Sequence, residues 1–292
     1  IMFKGCFTAL VTPFKDGRVD EKSLRNLIEF QIKNGINGLV PCGTTGESAT
    51  LSYEEHNRVI DITIETAAKR VPVVAGTGSN STSETVMLTK HAEDAGADYA
   101  LLITPYYNKP TQAGLYEHYK AVAEETNIPI MLYNVPGRTG VNMLPETVAR
   151  LSEIKSIAGI KEATGNLQQI SDVIEYSRPG FLVISGDDFT TFPLLSIGGH
   201  GVISVTSNVS PKDVSDMCSL FFNGKTEESR RLHYKLQPLH RSMFIETNPV
   251  PVKTALSMMG MMKEEFRLPL VGMSKDNKMR LEKTLKASGL IK

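Results

Sequence analysis

The chain has 292 residues, 41% of them hydrophobic and 22% charged, and its 32 basic and 32 acidic residues balance to a formal net charge of zero. This length can bury a large core, whereas the even charge argues against binding to nucleic acid or to an anionic membrane, and the apolar runs are too short to span a bilayer. Three cysteines far apart in the sequence (Cys6, Cys42 and Cys218) indicate neither a disulfide framework nor a metal site, so we expect reduced thiols in a cytoplasmic protein.

Short β-like runs alternate with amphipathic helical segments over the first three quarters of the chain. The eight strand candidates are residues 8–12, 38–42, 73–76, 99–104, 130–134, 157–161, 182–185 and 201–205. Strands that alternate with helices indicate parallel βαβ units. Eight such units in roughly 220 residues predict an α/β fold of the (β/α)8 TIM-barrel type rather than an open doubly wound sheet.

Helix signals separate several of these strands. Asp20 precedes a predicted helix over 21–33, and Ser52 with Glu55 forms a capping-box pattern before a helix over 56–68. Further helices are expected from Ser83 to about residue 95, and over 112–125. After residue 222 the β-like runs stop, and helices are predicted over 226–244, 252–261 and 275–287. We therefore predict a catalytic barrel over residues 1–224 and a C-terminal helical extension over 225–292 that packs on the barrel.

The distinctive polar motifs all follow strand candidates. They are GTTGE (43–47), TPYYN (104–108), YNVPGRTG (133–140), Lys161 at the end of the sixth strand, and GDD (186–188). In an α/β barrel the loops after the strands build the active site, whereas the loops before them serve stability. These motifs are therefore expected around one mouth of the barrel.

Lys161 ends a short run of small and apolar residues that is typical of a buried parallel strand. Burial disfavours a charged ammonium group, and a neutral buried amine is the nucleophile that forms Schiff bases with carbonyl compounds. A lysine that ends a strand and extends its amine to water is the ordinary alternative.

The neighbouring motifs each have a chemical and a structural interpretation. Thr44 and Thr45 could bind a small carboxylate or simply close a tight turn. Tyr133 could move protons or be a core tyrosine. Arg138, flanked by glycines, could bind a second carboxylate through two hydrogen bonds or be a surface arginine.

Metal-dependent chemistry is disfavoured by the sequence. None of the six histidines ends a strand candidate, and Asp187 with Asp188 alone would make a poor ligand set. His200 precedes the eighth strand, on the wrong side for catalysis, and we interpret it as structural.

Taken together, the motifs GTTGES (43–48), TPYYNKP (104–110), YNVPGRTG (133–140), GIKEATGN (159–166) and GGHGVISVT (198–206) resemble those of the dihydrodipicolinate synthases. This family lies within the N-acetylneuraminate lyase superfamily of lysine-dependent barrel enzymes. The resemblance covers essentially the whole chain. Within that superfamily, Arg138 in its NVPGRTG context favours the synthases over the sugar-acid lyases.

The resemblance implies a condensation of pyruvate with L-aspartate 4-semialdehyde, the entry step of the diaminopimelate route to lysine. Lys161 would form the imine with pyruvate. Tyr133, Thr44 and Tyr107 would form the proton relay, with Tyr107 contributed across a dimer interface.

The resemblance also implies the substrate contacts. Thr44 and Thr45 would bind the carboxylate of pyruvate, and Arg138 that of the semialdehyde. Gly186 and Ile203 would place backbone oxygens near the substrate. No cofactor and no metal are implied, because the lysine imine itself serves as the electron sink.

Two further properties follow from the resemblance. The family suggests a homotetramer built from two tight dimers. It also suggests inhibition by L-lysine at an allosteric site, matched here by Ser48, Ala49, His56, Asn80, Glu84 and Tyr106. Tyr53 stands where inhibited enzymes often have histidine, which leaves the affinity for lysine open.

Two other functions are compatible with parts of the sequence. An aldolase or lyase of the same superfamily, acting on a 2-keto-3-deoxy sugar acid or on N-acetylneuraminate, would share Lys161 and Tyr133 but would not need Arg138. A non-catalytic sensor of small molecules is the alternative from another class, although a pure binding protein has no use for a proton relay.

Overall fold

The computed structural model describes residues 3–292 of the chain. Within this range the strands, numbered in chain order, are β1 (Gly5–Ala9), β2 (Phe14–Lys15), β3 (Arg18–Val19), β4 (Gly38–Val40), β5 (Val74–Gly76), β6 (Tyr99–Ile103), β7 (Ile130–Asn134), β8 (Ile157–Glu162), β9 (Leu182–Ser185) and β10 (Gly201–Ser204). Strands β2 and β3 form a small antiparallel hairpin. The other eight correspond to the eight strands predicted from the sequence.

The helices are α1 (Glu21–Lys33), α2 (Tyr53–Ala67), α3 (Thr82–Ala95), α4 (Gln112–Glu125), α5 (Pro136–Thr139), α6 (Pro145–Ser152), α7 (Leu167–Tyr176), α8 (Thr191–Ser196), α9 (Pro211–Phe222), α10 (Thr226–Met243), α11 (Val250–Met258) and α12 (Lys275–Ala287). The predicted bounds of α1, α4 and α12 match the structure at both ends. Helix α2 begins three residues earlier than predicted, because the capping pattern itself occupies its first turn.

Two helix starts follow the predicted capping chemistry. The side chain of Asp20 accepts a hydrogen bond from the backbone N–H of Ser23 (3.1 Å) at the start of α1. At the start of α2, Ser52 Oγ accepts from the N–H of Glu55 (3.2 Å), and Glu55 Oε2 accepts from the N–H of Ser52 (3.1 Å). These bonds satisfy N–H groups that a helix terminus otherwise leaves without partners.

The chain forms two compact units. The first contains residues 72–203 together with residues 3–4, and its six strands are parallel in the order β5–β6–β7–β8–β9–β10. All five residues of β7 are buried, as expected for a parallel strand covered on both faces.

A hydrophobic core lies between these strands and their helices. Leu132 of β7, Ile160 of β8 and Val183 of β9 belong to this core, together with side chains of α4, α6 and α7. Because successive side chains on a strand point to opposite faces, Tyr133 and Lys161 face away from those helices. Asn134 and Glu162 face toward them.

The second unit contains residues 5–71 and 204–292. In it, β1 and β4 pair in parallel, and α9 to α12 pack against one another. The predicted domain boundary at residue 224 stays a prediction.

Strand β1 lies three residues earlier than expected, because its ladder ends where Leu10 N–H donates to Val40 O (3.0 Å). The next N–H, that of Val11, donates to the Asn208 side chain instead (3.3 Å).

Across residues 3–292, no helix is both long enough and apolar enough to cross a membrane.

Candidate active site

Lys161 and Tyr133 lie side by side at the ends of two neighbouring strands. The strand register pairs Tyr133 of β7 with Lys161 of β8. Each residue is only 6% exposed, and Nζ of Lys161 lies 3.9 Å from the centroid of the Tyr133 ring. The structure therefore brings together two residues that the sequence places at or near strand ends, and the amine of the buried Lys161 lies over an aromatic face.

Gly186 leaves room for the side chain of Lys161. It follows β9 directly, and its N–H donates to the carbonyl oxygen of Glu162 (2.8 Å). A methyl group at position 186 would lie 3.0 Å from Cε of Lys161 and 2.7 Å from Cβ of Ala163. A backbone oxygen from Gly186 was predicted from the sequence, whereas this second requirement was not, because it depends on the packing of β8 against β9.

Ile203 lies on β10, the strand beside β9, and is buried. Val202 of β10 pairs with Ser185 of β9, so Ile203 and Gly186 both follow paired residues on neighbouring strands. Their contact with a substrate stays a prediction.

Arg138 lies in α5, a single helical turn that follows β7. Its N–H donates to the carbonyl of Val135 (2.9 Å), and its side chain is exposed. The next residue, Thr139, is buried, and its Oγ1 donates to Val135 O (3.2 Å) and accepts from Oγ1 of Thr104 (3.3 Å), which follows β6. The turn that carries Arg138 is thus anchored to the ends of two strands.

Tyr107 has the most exposed large side chain of its loop, at 89%. Its backbone is in the left-handed region, with φ of 71°, which is unusual for a residue with a bulky side chain. The turn is closed by the N–H of Asn108, which donates to Tyr106 O (2.9 Å), while Asn108 Nδ2 donates to Asn80 O (2.9 Å). The loop is therefore held in a defined conformation that directs a tyrosine into solvent.

Thr44 and Thr45 lie in the second unit, in a 3-10 turn (Thr44–Gly46) after β4. Thr45 is buried, and its Oγ1 accepts a hydrogen bond from Nδ2 of Asn248 (3.0 Å). Thr44 is half-buried, and its carbonyl accepts from the N–H of Glu47 (3.2 Å). The turn is thus well ordered, and one of its two hydroxyl groups already has a partner from the C-terminal segment.

A buried ion pair adjoins this turn. Glu47 is in the left-handed conformation (φ 54°), between the turn of Thr44 and the next one, and its carboxylate bonds to Nζ of Lys253 on α11. The side chains are 1% and 0% exposed. Burial lowers the pKa of Lys253, while the charge of Glu47 opposes that shift. The sequence analysis missed the pair, because 206 residues separate its members.

The residues of the predicted lysine site are divided between the two units. Ser48 and Ala49 lie in the 3-10 turn Ser48–Thr50 and His56 is buried in α2, whereas Asn80, Glu84 and Tyr106 lie in the first unit. Oε2 of Glu84 accepts from Oγ of Ser79 (2.6 Å). Within the first unit, the bond from Asn108 to Asn80 brings Asn80 and the Tyr106 turn together.

His200 and Asp187 have structural contacts. Nδ1 of His200 accepts from the N–H of Val183 (3.2 Å), and burial lowers the pKa of this histidine. Oδ1 of Asp187 accepts from the N–H of Phe189 (3.1 Å), and burial raises the pKa of the aspartate. Among residues 3–292, no group of three or more His, Cys, Asp or Glu side chains is arranged to hold a metal ion.

Comparison with known proteins gives matches along the whole chain. The model of the dihydrodipicolinate synthetase family matches residues 2–288. The 4-hydroxy-tetrahydrodipicolinate synthase of Thermodesulfovibrio yellowstonii is 60% identical over 291 residues, with 100% of both chains covered.

Solved structures show the same similarity. A monomeric variant of a dihydrodipicolinate synthase is 48% identical, with a TM-score of 0.97 over 99% of this chain and 98% of that one. The lysine-bound synthase of Cyanidioschyzon merolae is 39% identical, with a TM-score of 0.96 over 99% of each chain. The predicted α/β fold, a (β/α)8 TIM barrel with C-terminal helices, is confirmed. The names of these proteins support the synthase and not the sugar-acid lyase considered from the sequence.

Proposed function

Because the chain belongs to the dihydrodipicolinate synthetase family, we propose that it condenses pyruvate with L-aspartate 4-semialdehyde through an imine on Lys161. The product is 4-hydroxy-tetrahydrodipicolinate, the first committed intermediate on the route to diaminopimelate and lysine. The observation that supports this chemistry most directly is the buried side chain of Lys161, whose Nζ lies 3.9 Å from the ring centre of Tyr133.

The first half of the reaction activates pyruvate. Nζ of Lys161 attacks the keto carbon, the resulting alcohol leaves as water, and a protonated imine remains. This imine withdraws electrons, so the methyl group loses a proton and becomes the nucleophilic carbon of an enamine. The lysine supplies the electron sink, and the scheme requires no cofactor.

The second half forms the new bond and releases the enzyme. The enamine carbon attacks the aldehyde carbon of the semialdehyde, whose oxygen takes up a proton. The amino group of the same substrate then attacks the imine carbon and closes the ring. Lys161 leaves as a free amine, ready for another cycle.

The remaining tasks are assigned to the other residues of the proposed site. Tyr133, Thr44 and Tyr107 relay protons to and from the imine and the substrates. Thr44 and Thr45 bind the pyruvate carboxylate, and the exposed guanidinium of Arg138 binds the carboxylate of the semialdehyde. Backbone oxygens of Gly186 and Ile203 complete the substrate contacts. The anchored turn of Arg138 supports this division, because its bonds fix the backbone beside Arg138 to the segments that follow β6 and β7, and β7 carries Tyr133.

Trapping of the imine tests the proposal. Incubation with pyruvate followed by borohydride reduction should add the reduced pyruvyl group to Lys161, as located by peptide mass spectrometry. Lys253 serves as an internal control, because it is buried in an ion pair and should stay unlabelled. Absence of label, or label on Lys253, would refute the mechanism.

Tyr107 supports an assembly of at least two subunits. Its side chain is exposed on a loop held by hydrogen bonds, where a neighbouring subunit can contact it. The proposed assembly is a homotetramer of two tight dimers, in the cytoplasm. Sedimentation at assay concentrations should show the activity in dimers or larger species. A fully active monomer would rule out the contribution of Tyr107 to a neighbouring site.

Inhibition by L-lysine is proposed at Ser48, Ala49, His56, Asn80, Glu84 and Tyr106. The carboxylate of Glu84 is a suitable partner for an amino group of the ligand, and a lysine-bound relative has the same fold. Titration calorimetry should therefore detect binding, and Glu84→Gln should weaken it. If millimolar lysine produces neither heat nor inhibition, this site does not operate here.

A further inference from the structure

A cluster of hydrogen-bonded polar side chains lies on the helix side of β7 and β8, opposite the face that carries Tyr133 and Lys161. We call it the Glu162 cluster; Asn134, Glu162 and Gln169 are its buried members, and the half-buried Asn142 and Thr164 complete it. Glu162 and Asn134 are 1% and 0% exposed. A buried carboxylate is costly unless its oxygens are hydrogen bonded, so the partners of Glu162 are informative.

These partners are amides, a backbone N–H and a hydroxyl group. Glu162 Oε1 accepts from the N–H of Thr164 (3.0 Å), and Nδ2 of Asn134 lies 3.4 and 3.3 Å from the two carboxylate oxygens. Asn134 Nδ2 also donates to Oδ1 of Asn142 (2.9 Å), which in turn accepts from Nε2 of Gln169 (3.0 Å). Burial raises the pKa of Glu162, and its hydrogen bonds to Asn134, Thr164 and Gln169 oppose that shift.

The cluster repeats the pairing of the proposed catalytic residues one position further along both strands. Tyr133 pairs with Lys161, and Asn134 pairs with Glu162. A bond between Asn134 and Glu162 therefore fixes the two strand ends relative to each other, directly beside Tyr133 and Lys161. The cluster also reaches the loop after Lys161, through the N–H of Thr164.

Asn134 also fixes the ends of the segment that carries Arg138. Its Oδ1 accepts from the N–H of Met143 (3.0 Å), which closes residues 135–142 into a loop with fixed ends. Three proposed functional residues, Tyr133, Arg138 and Lys161, thus lie on backbone segments that meet in one hydrogen-bonded network.

We propose that Glu162 and Asn134 are positioning residues, which hold Lys161 over Tyr133 and close the Arg138 loop without touching the substrates. The inference rests on the proposed function. A hydrophobic pair of similar size could fill the same space and pack at least as stably. The amide and carboxylate instead provide a directional contact that sets the register of β7 and β8, and displacement of reacting groups by 1 Å can cost about 10²-fold in rate.

The test measures the rate of imine formation per folded molecule. Glu162→Gln, Asn134→Asp and the double variant are mixed with pyruvate and quenched with borohydride at short times, and label at Lys161 is quantified. Glu162→Gln keeps the shape of the side chain and should slow labelling by about 10- to 100-fold. Asn134→Asp places two carboxylates together and should be slower still. In the double variant the carboxylate and the amide exchange positions. Its labelling of Lys161 should be at least about tenfold faster than that of Asn134→Asp.

Thr89→Val is the matched control. Thr89 is buried in the same unit, and its hydroxyl bonds to Thr77 (2.8 Å), away from the cluster. This variant should lose some stability but label at the wild-type rate. Thermal unfolding of every variant gives the folded fraction used for normalisation.

The outcomes separate the two proposals. If the wild-type enzyme itself is not labelled at Lys161, the proposed function fails. If the wild type is labelled and both single variants label at its rate per folded molecule, the positioning role is refuted. Slower labelling per folded molecule in the single variants, with recovery in the reversed pair, supports it, because normalisation to the folded fraction removes a loss of stability from the comparison.

Discussion

Replacement of Tyr133 by phenylalanine is expected to lower kcat by about 10²- to 10⁴-fold, the usual contribution of a positioned proton-transfer group. The ring that lies 3.9 Å from Nζ of Lys161 would remain, so the packing of the lysine should change little. Only the hydroxyl group would be lost. Steady-state kinetics should therefore show a large fall in kcat, while the thermal midpoint of unfolding stays close to that of the wild type.

Tyr119→Phe provides the control for this experiment. Tyr119 is fully buried in the core of the same unit, and its hydroxyl donates to Leu102 O (3.3 Å) on the helix side of β6. Removal of this hydroxyl should cost about 1 kcal/mol of stability and leave kcat nearly unchanged. Wild-type turnover by Tyr133→Phe, or an equal loss in both variants, would remove Tyr133 from the proton relay.

Trapping experiments on Tyr133→Phe would also locate the affected step. If the phenol moves protons during imine formation, borohydride labelling of Lys161 should slow in parallel with kcat. If it acts only after the imine has formed, labelling should persist while turnover is lost. Either result keeps the hydroxyl in the mechanism and assigns it to one half of the reaction.

The sequence was most informative where a buried strand ends in a polar residue. The run before Lys161 contains only small and apolar residues, which is typical of a covered parallel strand, and β8 extends one residue beyond the predicted end, to Glu162. The same logic placed Tyr133 near the end of β7. The contact between the two side chains agrees with both assignments, because parallel neighbours end at the same edge.

Sequence reasoning was weaker where position depends on pairing between distant segments. Asn134 and Glu162 each follow a proposed catalytic residue directly, and polar residues at helix-facing strand positions were a usable signal. Their bond, however, depends on the register of β7 against β8, which periodicity does not specify. The contact between Gly186 and Lys161 has the same origin, in the packing of β9 beside β8.

Two helices that begin with proline were also missing from the helices predicted over the chain. Helices α6 and α9 have Pro145 and Pro211 in their first turn, where proline fits because its missing N–H has no partner in any case. The eight residues of α6 are too few for helical periodicity to stand out. Long segments with a capping residue, such as the one after Asp20, were located accurately.

Replacement of Lys253 by methionine is expected to reduce the free energy of unfolding by about 3–5 kcal/mol. The variant would leave the carboxylate of Glu47 buried without its cation, in a pocket that also holds the ring of Phe14, 4.2 Å from Nζ of Lys253. Urea denaturation followed by circular dichroism measures the change. The double variant Glu47→Gln with Lys253→Met removes both charges and should recover a large part of the loss, since the cost arises from the unpaired charge.

Lys263→Met is the matched control, because Lys263 pairs with Asp16 at 3.2 Å in the same unit with both side chains exposed. Loss of an exposed pair should change stability by less than about 1 kcal/mol. If the two lysine variants lower the free energy of unfolding equally, burial of the Glu47–Lys253 pair does not increase the cost of losing its cation.

The buried pair has a consequence for substrate binding that stability data alone would not reveal. Glu47 holds a left-handed backbone conformation directly after the turn of Thr44 and Thr45, and its N–H donates to the carbonyl of Thr44. The neutral double variant keeps the fold but loses the charged anchor of this turn. If Thr44 and Thr45 bind the carboxylate of pyruvate, its KM for pyruvate should rise several-fold, with a smaller change in the KM for the semialdehyde. Unchanged KM values in a folded double variant would mean that the turn keeps its geometry without the ion pair.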